Sequence, residues 1–531
     1  MNRPAKRATA KMLWCALCLG CLAILGRATD EASLVITGAR VWTGNPKQPR
    51  AEAIALAGER ILAVGGDEEI KRYVGGSTRV IDGRGGTLAP GFIDSHTHTT
   101  NAVPDFTPIS LRFVRTRQSF IQRIAGYAAK APKGAWILGG DWDHRQWGGE
   151  LPVRNWIDRV TPDNPVWLYH VGAEMALANS AALRAAGITR QTRETPSGGI
   201  VRDAQGEPTG IIKSSAMSLV DAAAEEPTRE TNDRNLDEKM LRLAQQGITS
   251  VHNITGWSDL LTLRRARSSG RLTTRFYAAM VPIYAWKRLI EYIAANGSGD
   301  EWLRWVAVKG YARNWPESDP TAKAPGEESS LEDFYNWVAA SSNAGLHILV
   351  HDGGGTHQLL GIFQRVKQEQ NLLDPRFRIE HVFYLTPGDA ARFAGLGVIG
   401  SLQPELAFSY DDPKGFQNHL PYRLLLDSGA RIAFGSDQRV GSPLSGIALA
   451  VLHAIPSGKT MEVEEALRAY TCDAAYAAFE DEEKGTLEPG KLADCVLIDR
   501  DLTRIPRQEL REARVQMTVV GGKIVYERSP R

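Results

Sequence analysis

The chain has 531 residues, more than a single hydrophobic core usually holds, so we expect two or more structural units. Its composition is that of a globular protein and excludes low-complexity and heptad-repeat proteins. The formal net charge of +2 gives no reason to expect nucleic-acid binding.

The first 28 residues are predicted to be an export signal. Four basic residues between Arg3 and Lys11 precede an apolar run of 15 residues, from Met12 to Gly26. The run is short for a membrane-spanning helix, so we expect cleavage after Ala28 and an exported, periplasmic or extracellular protein. An uncleaved signal that anchors the chain to the membrane is the alternative.

Cleavage would change both the charge balance and the cysteine content. The signal contains five of the 63 Lys and Arg residues and no acidic residue, which leaves 58 basic against 61 acidic residues. Of the five cysteines, only Cys472 and Cys495 would remain. This excludes a disulfide framework and a thiolate metal site.

Strand patterns occur at both ends of the mature chain. They cover residues 34–42, 53–57 and 61–64 near the start and 495–499 and 516–526 near the end. Gly58-Glu-Arg60 joins the second and third runs as a hairpin. We expect residues 29–88 and 486–531 to form one small composite β-sandwich domain.

Strand-like runs alternate with helical patterns in the middle of the chain, which favours an α/β fold with a parallel sheet. The eight runs are residues 91–94, 248–252, 275–281, 306–309, 347–351, 378–382, 398–402 and 432–436. This count predicts a (β/α)8 TIM-type barrel over residues 89–103 and 232–485. The segment of residues 104–231 between the first two strands is longer than a crossover needs. It predicts an inserted subdomain over the barrel mouth.

His96 and His98 stand at the end of the first barrel strand. Alternate residues of a strand point the same way, so both imidazoles can bind one divalent transition metal, most often zinc. An isolated His-x-His is as often a pair of polar residues in a turn.

Four more polar residues stand at the predicted ends of later strands: Lys309, His351, His381 and Asp437. Each alone has an ordinary explanation, because lysines reach solvent, lone histidines pack in cores and Gly-Ser-Asp often forms a turn. Together they lie at the carboxyl ends of the barrel strands, where such barrels have their active sites.

On these residues, in this order, the chain resembles the metal-dependent amidohydrolase superfamily. The closer likeness is to amidohydrolase family 3, the group that contains N-substituted formamide deformylase. The supporting stretches are residues 88–98, 178–183, 206–211, 378–381, 434–437 and 485–494.

The resemblance implies a metal site and its ligands. His96, His98 and Asp437 would bind one divalent ion, and His351 and His381 would bind a second or complete a single site. Lys309 matches a lysine that many members carbamylate, which would let it bridge two metals. The number of ions, one or two, is therefore left open, and zinc is the ion expected.

The implied reaction is hydrolysis of an amide-type C–N bond outside peptides. The metal would activate a water and polarise the carbonyl, Asp437 would act as general acid and base, and His381 would assist at the carbonyl oxygen. Two alternatives stay open: a deaminase or cyclic-amide hydrolase on the same site, and a catalytically silent barrel that binds a small ligand. We expect a small-molecule substrate, and a homodimer is the oligomer to test.

Three positions depart from the family pattern and bear on the substrate: Glu174, Arg313 and Asp352. Arg313 would favour a substrate with a carboxylate, although neutral drift in loops is the alternative. We name Arg313, Glu174 and Trp142, in the predicted insertion, as candidate substrate-binding residues, with packing as the alternative for Trp142.

Overall fold

The computed structural model describes residues 31–99, 109–111, 114–170, 175–195, 199–221, 223, 229–281, 286–313, 330–382, 385–405, 421–437, 442–453 and 459–529. Within these ranges no helix is both long and apolar enough to cross a bilayer. The predicted export signal at residues 1–28 lies outside the described residues.

The strands of the described residues are numbered in chain order. They are β1 Leu34–Thr37, β2 Arg40–Trp42, β3 Arg50–Ala51, β4 Ala53–Ala57, β5 Arg60–Gly65, β6 Arg79–Asp82, β7 Thr87–Pro90, β8 Phe92–Thr97, β9 Ile109–Ser110, β10 Ile137–Trp142, β11 Val166–His170, β12 Met175–Ala178, β13 Ile200–Arg202, β14 Pro208–Lys213, β15 Ile248–Thr255, β16 Arg275–Met280, β17 Leu303–Arg313, β18 His347–Gly353, β19 Arg378–Glu380, β20 Ile399–Leu402, β21 Ile432–Phe434, β22 Cys495–Ile498, β23 Val515–Val520 and β24 Lys523–Glu527.

The helices of the described residues lie mostly between barrel strands. Their bounds are Asp67–Ile70, Arg117–Ala128, Arg154–Ile157, Ser180–Ala185, Ser218–Asp221, Arg229–Gln245, Trp257–Ser268, Trp286–Asn296, Leu331–Asn343, Thr356–Glu369, Pro387–Leu396, Tyr422–Asp427, Pro443–Leu452, Val463–Ala469 and Cys472–Ala477.

Eight parallel strands form the central sheet. β8 and β15 to β21 are neighbours in sequence order, and each adjacent pair is parallel. The last strand returns to the first, because the backbone N–H groups of Ser436 and Asp437 donate to the carbonyl of His96, at 3.2 and 2.8 Å. The predicted TIM-type barrel is therefore confirmed.

The barrel strands form because their residues are buried on both sides. Every residue of β8, β15 and β16 is buried, as in a sheet that is covered by helices outside and filled with side chains inside. Helix side chains such as Leu260, Leu359 and Phe393 pack against this outer face in the main core.

Several expected strand ends come too early. β8 continues beyond residue 94 to Thr97, which puts His96 inside the strand, and β15 continues beyond residue 252 to Thr255. β17 continues four residues beyond Lys309 to Arg313, and β18 continues to Gly353, so Lys309 and His351 lie inside strands. The two strands stay in register as far as Arg313 and Gly353. Their pairing consists of backbone hydrogen bonds, which form whether the side chains are polar or apolar. Both residues nevertheless lie near the carboxyl end of the barrel.

Two further sheets come from the chain ends. One has the order β5-β4-β1-β6 and the other the order β24-β23-β22-β7-β2-β3. The second sheet draws on both ends, because β7 pairs antiparallel with β22. Apolar residues of both sheets, among them Leu34, Val41, Ile54 and Leu497, share one buried cluster. β7 extends to Pro90, two residues beyond the expected boundary at 88.

Residues between the first two barrel strands build a sheet of their own, in the order β13-β14-β12-β11-β10-β9. β9, β10 and β11 run parallel, whereas β12, β14 and β13 continue the sheet antiparallel. Two apolar clusters cover its faces, one around Phe120 and Trp142 and the other around Trp167 and Leu183.

Candidate metal centre

The imidazoles of four histidines and the carboxylate of Asp437 converge at the carboxyl end of the barrel. The ring centroids of His96 and His98 are 5.5 Å apart, those of His96 and His381 4.9 Å, and those of His351 and His381 4.4 Å. Ligand atoms of His96, His381 and Asp437 all lie within 4.8 Å of one another. The structure thus brings together five of the six predicted ligands. The sixth, Lys309, is described below.

His96 is oriented by a buried carboxylate. Its Nδ1 lies 2.6 Å from Glu380 Oε2, and both side chains are almost fully buried. Although burial raises the pKa of Glu380, the neighbouring Arg378 and His96 hold it well below its usual value, so the carboxylate is ionised and accepts. Nδ1 of His96 therefore carries the proton, and Nε2 offers its lone pair to the site.

Asp437 faces both histidines of the His-x-His motif. Its Oδ1 lies 3.4 Å from His96 Nε2 and 3.3 Å from His98 Nε2. Burial raises the pKa of Asp437, but the contacts with His96 and His98 outweigh it and keep that pKa well below the usual value. Asp437 is thus an anion among imidazole nitrogens.

The backbone is strained at two of these residues. φ is +79° at His381 and +50° at Asp437, in the left-handed region that side chains with a Cβ rarely adopt. Such strain persists where the surrounding structure determines it, and it is common at functional sites.

His381 and His351 are neutral. Burial lowers the pKa of His381 well below its usual value, and it lowers the pKa of His351 to about 3. Nδ1 of His381 lies 2.8 Å from Gln403 Oε1, while the amide nitrogen of Gln403 donates to Ser401 Oγ. The amide oxygen therefore accepts from His381 Nδ1, which leaves His381 Nε2 as the available donor of electrons.

Lys309 is buried in the same end of the barrel, with a residue exposure of 1%. Its Nζ has no hydrogen-bond partner among the described residues and lies 5.7 Å from the centroid of the Tyr311 ring. Burial lowers the pKa of Lys309 to about 8. A buried amine of this kind lacks the solvent that lysines normally reach.

These residues fit a divalent metal. Neutral imidazole nitrogens and a carboxylate oxygen form the donor set that zinc takes in proteins, and neutral histidines bind without first losing a proton. His96, His98 and Asp437 could hold one ion, and His351 and His381 a second.

Sequence reasoning missed the charged residues behind the ligands. Arg378 and Glu380 are both fully buried in β19 and bond to each other, and Arg378 Nη1 also donates to His252 Nδ1 at 2.8 Å. The sequence did contain a signal for them. Arg378 and Glu380 are opposite charges at alternate positions of a buried strand, and buried charges need a partner of opposite charge. His252 matches no ligand position and is committed to Arg378.

Of the three predicted substrate residues, the structure describes the side chain of Trp142 alone, and it does not lie among the candidate ligands. Trp142 is fully buried in the core of the inserted sheet, where its indole N–H donates to the carbonyl of Leu168 at 2.7 Å. Packing, the alternative interpretation, is its observed role. Arg313 ends β17, but its side chain lies outside the description, as does the whole of Glu174.

Comparisons with known proteins agree on one family. The model of a family described as the amidohydrolase family matches residues 79–526. Protein LONG AFTER FAR-RED 3 of Arabidopsis thaliana is 31% identical over 93% of this chain and 92% of its own length. N-substituted formamide deformylase of Arthrobacter pascens is 28% identical over 94% and 99% of the two chains.

A solved structure agrees on the fold. An uncharacterized metal-dependent hydrolase from Pyrococcus furiosus superimposes with a TM-score of 0.67 and 21% identity, over 89% of this chain and all of that one. The predicted resemblance is confirmed, and this chain belongs to the amidohydrolase family.

Proposed function

We propose that this protein is a metal-dependent hydrolase that cleaves an amide-type C–N bond, other than a peptide bond, in a small molecule. The observation that carries the proposal is the convergence of His96, His98, His351, His381 and Asp437 at the carboxyl end of the barrel. The relative named as a formamide deformylase, similar over almost its whole length, supports a C–N bond as the target.

The metal, when bound, supplies Lewis acidity, which lowers the pKa of a water and polarises the carbonyl of the substrate. His96 Nε2, His98 Nε2 and Asp437 would hold one ion, and His351 with His381 would hold another. Zinc is the ion that this donor set favours.

Asp437 would transfer a proton from the attacking water to the departing nitrogen. Its carboxylate is ionised and its Oδ1 faces the two histidines, so its other oxygen can accept a proton from the attacking water and return it to the departing nitrogen. A C–O bond then replaces the C–N bond, and the products are an acid and an amine. His381 Nε2, which Gln403 holds in position, would bind the second ion or contact the carbonyl oxygen.

Lys309 is proposed to be carbamylated. Within the described residues the Lys309 amine has no hydrogen-bond partner, and with its pKa lowered to about 8 it has a usable neutral fraction. Attack of Nζ on carbon dioxide forms the carbamate and releases a proton, and the two new oxygens could bridge two ions. Carbon-13 NMR after incubation with labelled bicarbonate should show a carbamate signal that is absent from Lys309→Met.

Arg313 is proposed to favour substrates with a carboxylate. Its position at the end of β17, four residues after Lys309, places its backbone at the end of the barrel where the ligands converge. Arg313→Met should raise KM for N-acyl amino acids and leave KM for neutral formamides unchanged.

The test of the function is a screen of the metal-reconstituted full chain on N-acyl amino acids, formamides and aryl amides. We expect activity that is lost after chelation, restored by Zn²⁺ and abolished in His96→Ala and Asp437→Asn. Release of ammonia alone would instead identify a deaminase, and turnover of a cyclic amide a ring-opening hydrolase. Full activity of metal-stripped Asp437→Asn would contradict the proposal.

Export is a separate proposal and rests on residues 1–28 alone. The matched experiment expresses the full chain and a chain that begins at residue 29. We expect only the full chain outside the cytoplasm, with a new N-terminus after Ala28.

A further inference from the structure

A second group of side chains that could bind a metal belongs to the inserted sheet and not to the barrel strands. β10 and β11 are parallel neighbours, and Trp142 pairs with His170 where both strands end. After β10 the chain turns directly into a short 3-10 helix, His144–Trp147, which Asp143 caps. Asp143, His144 and His170 are therefore brought to the same edge of this sheet by the parallel register.

Their ligand atoms are close enough for one ion. One atom from each of Asp143, His144 and His170 lies within 4.8 Å of the others, and the His144 and His170 ring centroids are 5.3 Å apart. Asp143 Oδ1 lies 3.9 Å from His170 Nε2.

The group is also largely removed from water. The side chains of Asp143 and His170 are only 5% and 6% exposed. The fully buried Trp142 ring packs edge-on against the rings of His170 and His144, at 4.8 and 6.1 Å. Burial distinguishes this group from the loose acidic patches common on protein surfaces, and apolar surroundings of this kind limit the access of solvent to ligands.

We propose that Asp143, His144 and His170 bind a divalent transition-metal ion, in a second site built wholly from the inserted sheet. Two imidazoles and one carboxylate are ligands for zinc and its first-row neighbours, and three protein ligands leave one or more positions for water or a small anion. The site is independent of the hydrolytic function proposed for the barrel.

The Arg145 guanidinium binds the carboxylate of Asp143 when no ion is bound. Its Nε donates to Asp143 Oδ1 and its Nη2 to Oδ2, both at 2.8 Å. This bidentate pair neutralises a carboxylate that would otherwise be buried alone. The Arg145 side chain is 37% exposed, so it can withdraw into solvent when a metal takes its place. Arg145 thus competes with the ion and weakens the site.

The test counts the metal ions bound by the full chain. Metal-free protein is titrated with Zn²⁺, and bound metal is measured after removal of free ions, for the wild type, His144→Ala and His144→Ala/His170→Gln. We expect both variants to bind one ion fewer than the wild type at the same free Zn²⁺, with an unchanged circular dichroism spectrum. His357→Ala, which removes an exposed histidine outside the group, should bind as many ions as the wild type.

Arg145→Gln provides the opposite change. Without the competing guanidinium, this variant should bind the ion of the inserted sheet more tightly than the wild type, in the same titration. If His144→Ala and the double variant bind as many ions as the wild type, with equal affinity, the site does not exist. If Arg145→Gln binds no more tightly than the wild type, the competition assigned to Arg145 is wrong.

Discussion

Glu380 connects the candidate metal ligand His96 with the charge of Arg378 inside the barrel. One oxygen orients His96, and the other bonds to Arg378, which in turn donates to His252. The strands β8, β19 and β15 are therefore joined through Glu380 and Arg378 together. A carboxylate behind a metal-binding histidine fixes the ring and raises its basicity.

Replacing Glu380 should weaken the metal site without removing a ligand. In Glu380→Gln the His96 ring loses its charged acceptor, so we expect metal affinity to fall by roughly 10- to 100-fold. Isothermal titration with Zn²⁺ measures this, and excess metal should restore part of the activity. Glu369→Gln, which changes an exposed carboxylate, is the control. Unchanged Zn²⁺ affinity in Glu380→Gln would show that Glu380 does not orient His96.

The candidate ligands could be named from the sequence because each stands in a short motif near the carboxyl end of a predicted barrel strand. Glu380 and Gln403 could not be assigned in the same way, because their partners, His96 and His381, are fixed by how the strands are placed around the barrel. Trp142 was named because it belongs to the predicted insertion, with packing as the alternative. Its buried indole N–H donates to a backbone carbonyl, a partner that the sequence pattern does not reveal.

At the scale of elements, the closure of the barrel depends on a glycine. A Cβ at Gly435, just after β21, would lie 2.5 Å from the backbone nitrogen of His96 in β8. Only glycine allows the last strand to approach the first so closely, and that approach places Asp437 against His96 and His98. The Gly-Ser-Asp sequence thus acts in barrel closure as well as in binding.

Gly435→Ala should therefore separate β8 and β21 and disrupt the metal site. We expect a loss of about 1 to 3 kcal/mol in the free energy of unfolding, together with weaker Zn²⁺ binding. Chemical denaturation and metal titration measure the two effects. Gly76→Ala is the control, because no atom lies within 4 Å of the Cβ it would add. Wild-type Zn²⁺ affinity in Gly435→Ala would contradict this account.

His347, at the start of β18, makes the barrel sensitive to acid. Its Nδ1 is hydrogen-bonded to the Tyr277 hydroxyl at 2.6 Å, and its ring lies between those of Tyr277 and Phe479, at 5.8 and 4.1 Å. Burial, followed by the charges of nearby arginines, lowers the pKa of His347 to about 3. The unfolded chain therefore binds a proton here, at a pH below the ordinary value of 6.5, that the folded chain does not.

Stability should accordingly fall as the pH is lowered from 6.5 towards 3. The contribution of His347 approaches about 1.4 kcal/mol per pH unit, because one proton is taken up on unfolding. His347→Gln lacks this group, so its free energy of unfolding should depend less steeply on pH over this window, measured by urea denaturation of metal-free protein. Equal slopes in the variant and the wild type would refute the assignment.

At the scale of the whole molecule, a buried ion pair joins the barrel to the sheets built from the chain ends. Arg275 in β16 donates to both oxygens of Asp494, at 2.7 and 3.0 Å, and lies over the Trp302 ring. Asp494 Oδ1 also accepts from the backbone of Gly521. Arg275 and Asp494 are 1% and 4% exposed, so neither has water as an alternative partner.

Asp494→Asn should destabilise the whole fold, because it leaves the charge of Arg275 buried without its partner. We expect a loss of about 3 to 5 kcal/mol in the free energy of unfolding, measured by chemical denaturation. Glu527→Gln breaks the exposed pair with Arg79 and should cost about 1 kcal/mol or less. Similar costs for the two variants would mean that burial of the Arg275 pair does not matter.

The fold could be predicted where a pattern repeats. Eight buried apolar runs separated by helices predict a barrel, and the end strands were found because their alternation is strong. The inserted sheet was predicted only as a subdomain, because its strands are short and its order combines parallel and antiparallel pairs. The strand ends at Lys309 and His351 were predicted too early, because a polar side chain does not interrupt the backbone pairing of a strand.

The spread of the metal ligands along the chain has a consequence for biosynthesis. His96 comes from the first barrel strand and Asp437 follows the last, so nearly the whole barrel must be translated and folded before the pair exists. A nascent or truncated chain that stops before β21 cannot assemble this set of ligands. Binding of an ion by this set would therefore require a finished barrel, whereas the site proposed in the inserted sheet would need only that sheet.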